Sequence, residues 1–263
     1  MTVNGLIIIS ISIIFIATVL GSALVFFFKQ NFGPKVNDMI LGFAGGIMIA
    51  ASLFGLINPS IVQSKELFPS YSYLPPIIGF LLGGALLFLM DKVIPHYHVS
   101  NDTEEGPKTT RLPKNFKFLM AVTIHNIPEG LAVGFACGLA LTSSSMPLSF
   151  AALSLAIGIA IQNVPEGAAV SIPMLGAGEK KGRAFLYGSL SGIVEPIFAI
   201  IGLFLAQLST LTPWLLSFAA GAMIYVTLDE IMPEARKENN AHYGIVSFML
   251  GFAIMMILEI TLS

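Results

Sequence analysis

The sequence predicts an all-α, polytopic membrane protein with eight transmembrane helices. Of its 263 residues, 55% are hydrophobic and only 11% are charged, whereas a soluble domain carries about 25% charged residues. Eight apolar runs are each about 20 residues or longer, which is the length that an α-helix needs to cross a bilayer. Because little sequence lies outside these runs, we expect a single transmembrane domain over residues 1–263.

The first apolar run is expected to remain in the protein as a helix. It lacks the basic start and the cleavage site of a secretory signal, and it is too long for the apolar core of one. The single cysteine, Cys137, lies inside a later run, which excludes an intramolecular disulfide and a cysteine-rich metal site. The predicted helices cover residues of about 5–28, 36–61, 74–95, 115–141, 147–174, 183–208, 211–234 and 242–262.

The basic residues predict the orientation. Every Lys and Arg except Lys65 lies in or beside the connections between helices 1 and 2, 3 and 4, 5 and 6, and 7 and 8. Connections rich in Lys and Arg stay in the cytoplasm, so both termini are predicted to face outward. The one sizeable connection, residues 96–114, is polar and is expected to be a mobile cytoplasmic loop. His96 and His98 open it, either as a cytosolic metal-acceptor pair or as two solvated histidines.

Two nearly identical polar motifs interrupt the fourth and fifth apolar runs. Residues 125–130 read His-Asn-Ile-Pro-Glu-Gly, and residues 162–167 read Gln-Asn-Val-Pro-Glu-Gly. At a rise of about 1.5 Å per residue, both motifs, and Glu195 in helix 6, lie broadly near the middle of a hydrocarbon core about 30 Å thick. Polar side chains at that depth are costly and mark functional sites.

Helical spacing places the polar side chains of each motif on one helix face. Residues three and four apart are neighbours, so the first two residues of each motif lie beside its glutamate. Imidazole, amide and carboxylate groups are the types that hold a divalent metal ion, and the chain is therefore predicted to be a metal-ion transporter. The predicted metal ligands are His125, Asn126, Glu129, Gln162, Asn163, Glu166 and Glu195.

Prolines and glycines accompany these polar residues. Pro128, Pro165 and Pro196 cannot donate a hydrogen bond to the preceding turn, which kinks a helix and frees carbonyl oxygens beside a polar site. A stripe of small residues on helix 4 predicts close approach of a neighbouring helix. This stripe consists of Gly130, Gly134 and Gly138.

Three carboxylates at one depth require neutralisation. Glu129, Glu166 and Glu195 repel one another, and no Lys or Arg lies nearby in the apolar runs. Either the carboxylates are protonated or a cation neutralises them. The alternative is that the polar residues only pair with one another and hold the helices together.

The motif pair, followed 29 residues after Glu166 by Glu195-Pro196, resembles the ZIP (Zrt-, Irt-like protein) family of divalent-metal transporters, and within it the bacterial GufA-like branch. The resemblance covers the whole chain. It implies a 3+2+3 arrangement in which helices 1–3 and 6–8 are inverted repeats around helices 4 and 5. It also implies a rocking or elevator-like motion, transport toward the cytoplasm, and assembly as a homodimer.

The resemblance implies a binuclear site for zinc, with cadmium, iron and manganese as related substrates. One metal would be bound by His125, Glu129, Gln162 and Glu166. The second would be bound by Asn126, Asn163, Glu166 and Glu195, with Glu129 near both. The chain departs from some relatives that have Asp in place of Asn163, which weakens the case for a fully occupied second site. Others have His in place of Gln162, and glutamine is a poorer ligand.

Other polar residues lie near the predicted membrane surfaces. Asn58-Pro59, near the outer end of helix 2, marks either an entrance or a turn that ends the helix. Glu259 is expected to reach the outer lipid headgroups. A cytoplasmic exit site, or an ordinary acidic helix end, is predicted from Asp229, Glu230, Glu234 and His242.

Three other functional classes are open. One is a purely structural membrane subunit, which would tolerate Glu166→Gln and Glu195→Gln without loss of metal uptake. An intramembrane zinc protease needs His-Glu-x-x-His, but His125 is followed by Asn, and no second histidine lies deep in an apolar run. A transporter or channel for another cation would use the same carboxylates. The expected location is the cell membrane, in particular a bacterial cytoplasmic membrane. The expected partners are divalent metal ions and the lipid bilayer, and no nucleic acid.

Overall fold

The computed structural model describes residues 2–27, 33–94, 96–98, 103–105, 107, 114–176, 178–236 and 241–262. Within these residues, eight helices are long and apolar enough to cross a membrane. This confirms the predicted all-α, polytopic fold. We number these helices α1 to α8 in chain order.

The helices follow the apolar runs, and α2 extends several residues further than predicted. A short 3-10 helix, Pro69–Tyr71, lies between α2 and α3. The bounds are α1 Val3–Phe26, α2 Lys35–Leu67, α3 Leu74–Val93, α4 Lys114–Thr142, α5 Met146–Gly176, α6 Lys181–Leu205, α7 Thr212–Glu234 and α8 Ala241–Leu262.

Two helices contain a π-helical stretch at corresponding places. In α2 it covers Ala51–Ile57 and in α7 it covers Thr227–Ile231. Each stretch ends two residues before a proline, Pro59 in α2 and Pro233 in α7. Because proline lacks the N–H that the preceding turn requires, the hydrogen-bond pattern of that turn changes. π-Helical turns are frequent at functional sites.

α6 is interrupted next to the predicted proline. Its two segments, Lys181–Ser191 and Val194–Leu205, are separated by a turn at Gly192 and Ile193. A side chain at Gly192 would collide with Thr18 of α1, so the close approach of α1 requires glycine at this turn. The interruption places Glu195 in the first turn of the second segment.

The helices pack as two bundles. The most extensive pairs are α1 with α5, α4 with α6, α2 with α8, and α3 with α7. α4 also packs on α5, and α7 packs on the π-helical part of α2. One bundle therefore contains α1, α4, α5 and α6, and the other contains α2, α3, α7 and α8. An inverted repeat relates α1, α2 and α3 to α6, α7 and α8, and α4 to α5. Under this exchange the pair α1–α5 becomes α6–α4, and the pair α2–α8 becomes α7–α3, so the packing has the symmetry of an inverted repeat.

The predicted glycine stripe of α4 packs against α6. A Cβ atom at Gly130 would collide with the backbone of Glu195, and one at Gly134 with the backbone of Ala199. One at Gly138 would collide with the next turn of α6. The predicted close approach of a neighbouring helix is confirmed, and it brings the backbone of Glu195 against the first motif.

The connection between α3 and α4 contains a short hairpin that the sequence analysis did not predict. Strands β1 (His96–His98) and β2 (Thr103–Glu105) pair antiparallel, with His96 opposite Glu105. Tyr and Thr favour strands, and the polar composition of the connection does not reveal this pairing. For His96 and His98 only the backbone is described, so a metal-acceptor role lies outside the described side chains.

Candidate metal centre

The two motifs and Glu195 meet inside the first bundle. α4 and α5 carry the motifs side by side, and the interruption of α6 brings Glu195 between them. Asn126, Asn163 and Glu195 are completely buried, and Glu129 and Gln162 are 1% exposed. Polar groups buried to this extent require partners, because their transfer out of water is costly.

The Glu195 carboxylate accepts hydrogen bonds from three other helices. Its Oε1 atom accepts from Thr18 Oγ1 of α1 at 2.9 Å and from Asn126 Nδ2 of α4 at 3.2 Å. Its Oε2 atom accepts from Asn163 Nδ2 of α5 at 2.6 Å. The two amides also donate to backbone carbonyls, that of Asn126 to α6 and that of Asn163 to α1, each at 3.2 Å. Sequence reasoning missed Thr18, because nothing distinguishes this threonine from others in an apolar helix.

A second group of contacts joins the two motifs. The Gln162 amide donates to the Glu129 carboxylate and, at 3.0 Å, to Asn163 Oδ1. Among the side chains of the two motifs, two buried acceptor atoms have no hydrogen-bond partner within the part of the chain that the structure describes: Asn126 Oδ1 and Glu129 Oε2. Leaving such an atom unsatisfied costs about 1–3 kcal/mol. Since Asn126 and Glu129 are three residues apart on α4, their side chains are neighbours, and a cation between them would satisfy both oxygens.

His125 lies at the other end of the centre, where the two bundles meet. Its Nε2 atom is 2.5 Å from Glu230 Oε1 of α7. Glu166, partly buried on α5, interacts electrostatically with both His125 and Glu230. Asp91, on α3, lies close to this pair. One carboxylate oxygen of Asp91, one nitrogen of His125 and one carboxylate oxygen of Glu230 all lie within 4.8 Å of one another. Such a group offers one nitrogen and two oxygen ligands to a metal ion.

Asp91 was missed by the sequence analysis, although a signal was present. It is an acidic residue inside a predicted span, and its neighbour Lys92 made it resemble an ordinary charged helix end. In the structure Asp91 is 7% exposed and faces the interior.

The predicted exit site is only partly assembled. Of its four residues, Glu230 joins Asp91 and His125, and this group of described residues includes none of the other three. Asp229 and His242 are exposed, and Glu234 is partly buried. Asp229 and Glu230 both lie in the π-helical turn of α7.

A separate cavity of about 280 Å³ opens toward the other ends of the helices. Asn58, Gln63 and Glu259 line it together with apolar side chains of α2, α4, α5 and α7. The expectation that Glu259 reaches the lipid headgroups was wrong, because this residue is 6% exposed. Its carboxylate faces Gly55 of α2, where a Cβ atom would be 3.1 Å from Glu259 Oε1.

An apolar layer separates this cavity from the candidate metal centre. Ala136, which lines the cavity, is seven residues from Glu129 on the same face of α4, or about 10 Å along the helix. By contrast, His125 and Glu230 at the opposite end keep 12% and 16% of their side-chain surface accessible. The centre is therefore closed toward the cavity and accessible from the side of the basic connections. The separating residues on α4 and α5 are Ala132, Val133, Leu155 and Ile159, all buried.

Comparison with known proteins agrees with the resemblance drawn from the motifs. Residues 100–259 match the family described as ZIP Zinc transporter. The chain is 34% identical to Zinc transporter ZIP11 of Homo sapiens, over 94% of each chain. It is 34% identical to Zinc transporter ZIPB of Bordetella bronchiseptica, over 95% of this chain and 79% of that protein. It is 33% identical to Zinc transporter GufA of Myxococcus xanthus, over 94% and 95% respectively. The chain belongs to the ZIP family of zinc transporters.

Proposed function

We propose that the protein carries zinc across the membrane through the buried centre on α4, α5 and α6. The observation that carries this proposal is the pair of buried, unpartnered oxygens on Asn126 and Glu129, within a group of metal-binding side chains. A divalent cation supplies what both oxygens lack. Relatives that are 33–34% identical over most of the chain are zinc transporters by name, which favours zinc as the substrate and transport over catalysis.

The transported ion is bound by side chains from both motifs. Zinc accepts imidazole nitrogen together with carboxylate and amide oxygen. With a single nitrogen ligand the set is weakly selective, so cadmium, iron and manganese are also expected substrates. The ligands to this ion are His125, Asn126, Glu129, Gln162 and Glu166. The Gln162 amide, whose nitrogen donates to Glu129 in the structure, would turn to bind the ion through its oxygen.

The ion moves from the outer cavity to the cytoplasm. The cavity lined by Asn58 and Glu259 collects cations from outside, because it contains a carboxylate and two amides. At the other end, Asp91 and Glu230 receive the ion as it leaves His125. This end lies beside the basic connections, which remain in the cytoplasm, so both termini face outward.

Transport requires the first bundle to move against the second. The centre belongs to α1, α4, α5 and α6, whereas Asp91, Glu230 and Glu259 belong to α3, α7 and α8. A displacement of the first bundle would carry the centre past the apolar layer toward the cavity. The contact between His125 and Glu230 joins the two bundles, so it must break in that step.

The protein acts as a multi-pass protein of the cell membrane, in a bacterial cytoplasmic membrane by analogy with its bacterial relatives. Large apolar side chains are exposed along several helices, as contact with lipid requires. Part of this surface also serves a homodimer. Exposed apolar side chains on α3 and α8 include Leu81, Leu82, Leu89, Met249 and Ile260.

A binding experiment tests the site. Purified protein is titrated with zinc by calorimetry, beside the variants His125→Ala and Glu129→Ala. We expect each variant to bind zinc at least about tenfold more weakly, since each loses a direct ligand. Glu66→Ala is the matched control, because Glu66 is exposed at the outer end of α2. Unchanged zinc affinity in both centre variants would contradict the proposed site.

A further inference from the structure

The side chains around Glu195 are not oriented as a metal-binding site would require. The family resemblance implies a second ion bound by Asn126, Asn163, Glu166 and Glu195. In the structure, both carboxylate oxygens of Glu195 accept hydrogen bonds, from one hydroxyl and two amide groups. A second ion at this place would have to displace donors from three helices.

The orientation of the two asparagine amides follows from this arrangement. An amide has one donor end and one acceptor end, and only the oxygen binds a metal. Because both Nδ2 atoms donate to Glu195, both oxygens point away from that carboxylate. Within the described residues, Asn126 Oδ1 has no partner, and Asn163 Oδ1 accepts only from Gln162. Glu195 therefore holds the amides in the orientation that offers their oxygens to an ion beside Glu129.

The charges of the centre lead to the same conclusion. Two divalent ions carry four positive charges, whereas Glu129, Glu166 and Glu195 carry at most three negative ones, and Glu230 belongs to α7 in the other bundle. An unbalanced charge is costly in a buried site. One divalent ion is balanced by Glu129 and Glu166, while three donors stabilise Glu195 by charge-assisted hydrogen bonds. An aspartate at position 163 would remove one of these donors and add the fourth carboxylate.

We propose that this chain transports one metal ion at a time, and that Glu195 is a positioning residue that orients the amides of Asn126 and Asn163 toward that ion. This inference rests on the proposed function, because it assumes that the ion binds beside Glu129 and Glu166. It identifies Asn163 as the residue that sets the number of ions.

The test counts the zinc ions that depend on Glu166. Purified wild-type protein and Glu166→Ala are equilibrated with zinc, desalted and assayed by elemental mass spectrometry. Subtracting the zinc content of Glu166→Ala from that of the wild type removes the contribution of ions bound elsewhere, including any at the hairpin or the Asp91 group. The same difference is measured in an Asn163→Asp background. We expect one Glu166-dependent ion in the wild type and two in the Asn163→Asp protein.

Each result has one meaning. Two dependent ions in the wild type would overturn the single-ion inference, and one ion in the Asn163→Asp protein would overturn the role given to Asn163. No dependent ion in either protein would instead show that the proposed transport site is wrong.

A second variant tests the positioning role. Glu195→Gln keeps the size of the side chain but can no longer accept from three donors with a full negative charge. We expect the one dependent ion to remain, with about tenfold weaker binding and a changed preference between zinc and cadmium. Loss of that ion, in a protein that elutes as wild type in gel filtration, would show that Glu195 is itself a ligand. Unchanged affinity and metal preference would also overturn the positioning role.

Discussion

The contact between α4 and α6 gives a prediction that is independent of any metal. Gly134→Ala would place a Cβ atom 2.9 Å from the Cα and carbonyl carbon of Ala199, which are backbone atoms and cannot rotate away. Gly84→Ala in α3 is the matched control, because its Cβ would meet its nearest neighbour at 3.8 Å, an ordinary contact. Both positions lie inside helices, so both substitutions gain the same backbone preference.

The two substitutions are expected to change the free energy of unfolding in different ways. Replacing glycine by alanine inside a helix stabilises by about 0.5–1 kcal/mol. Overpacking a tight contact costs about 1–3 kcal/mol, so Gly134→Ala should be destabilised by about 1–2 kcal/mol, whereas Gly84→Ala should be unchanged or slightly more stable. For a chain of this size, each kcal/mol corresponds to a change of about 2–4 °C in melting temperature.

Thermal unfolding of the detergent-solubilised protein, followed by the loss of the monodisperse peak in gel filtration, measures this difference. We expect Gly134→Ala to melt several degrees below Gly84→Ala. If the two variants melt together, α6 does not approach α4 as closely as the structure shows, and the placement of Glu195 against the first motif is then wrong as well.

Three further predictions concern transport. Zinc uptake should fall as the external pH is lowered toward the carboxylate range, because ligands must be deprotonated to bind metal; a flat profile down to about pH 5, close to the ordinary Glu pKa, would contradict carboxylate ligands. Glu230→Gln removes the charged contact between the bundles, and we expect slower zinc uptake into proteoliposomes with less than about a tenfold change in zinc affinity at the centre; a wild-type uptake rate would refute the exit role. Glu259→Gln should raise the KM for zinc uptake and leave the maximal rate nearly unchanged, whereas the exposed Glu66→Gln should alter neither; equal KM values for the two would remove Glu259 from the pathway.

Much of the fold could be predicted because the bilayer imposes simple requirements on a sequence. Helix number follows from the length of the apolar runs, and polar residues inside those runs identify functional positions. The glycine stripe of α4 also predicted a close neighbour, because small residues on one face permit backbone contact. The identity of that neighbour, α6, depended on tertiary packing.

The incorrect and missing predictions have specific physical causes. Glu259 was expected at the headgroups, but its carboxylate turns inward against Gly55, which has no side chain and lies about 200 residues earlier in the chain. Glu230 rather than Asp229 contacts His125, although both lie in the π-helical turn of α7, because His125 reaches that turn from α4. Asp91 was not predicted, because its neighbours in the group, His125 of α4 and Glu230 of α7, are distant in sequence. In each case the decisive neighbour is remote in sequence, so local spacing does not reveal it.

The central claim is that metal crosses the membrane through the motifs of α4 and α5, and uptake into proteoliposomes tests it most directly. Zinc and cadmium uptake is measured for the wild type beside Glu166→Ala, with Glu66→Ala as the control of equal charge change. We expect the wild type and the control to transport both metals and Glu166→Ala to lose transport of both. Strong uptake by Glu166→Ala would contradict this account and place the pathway elsewhere.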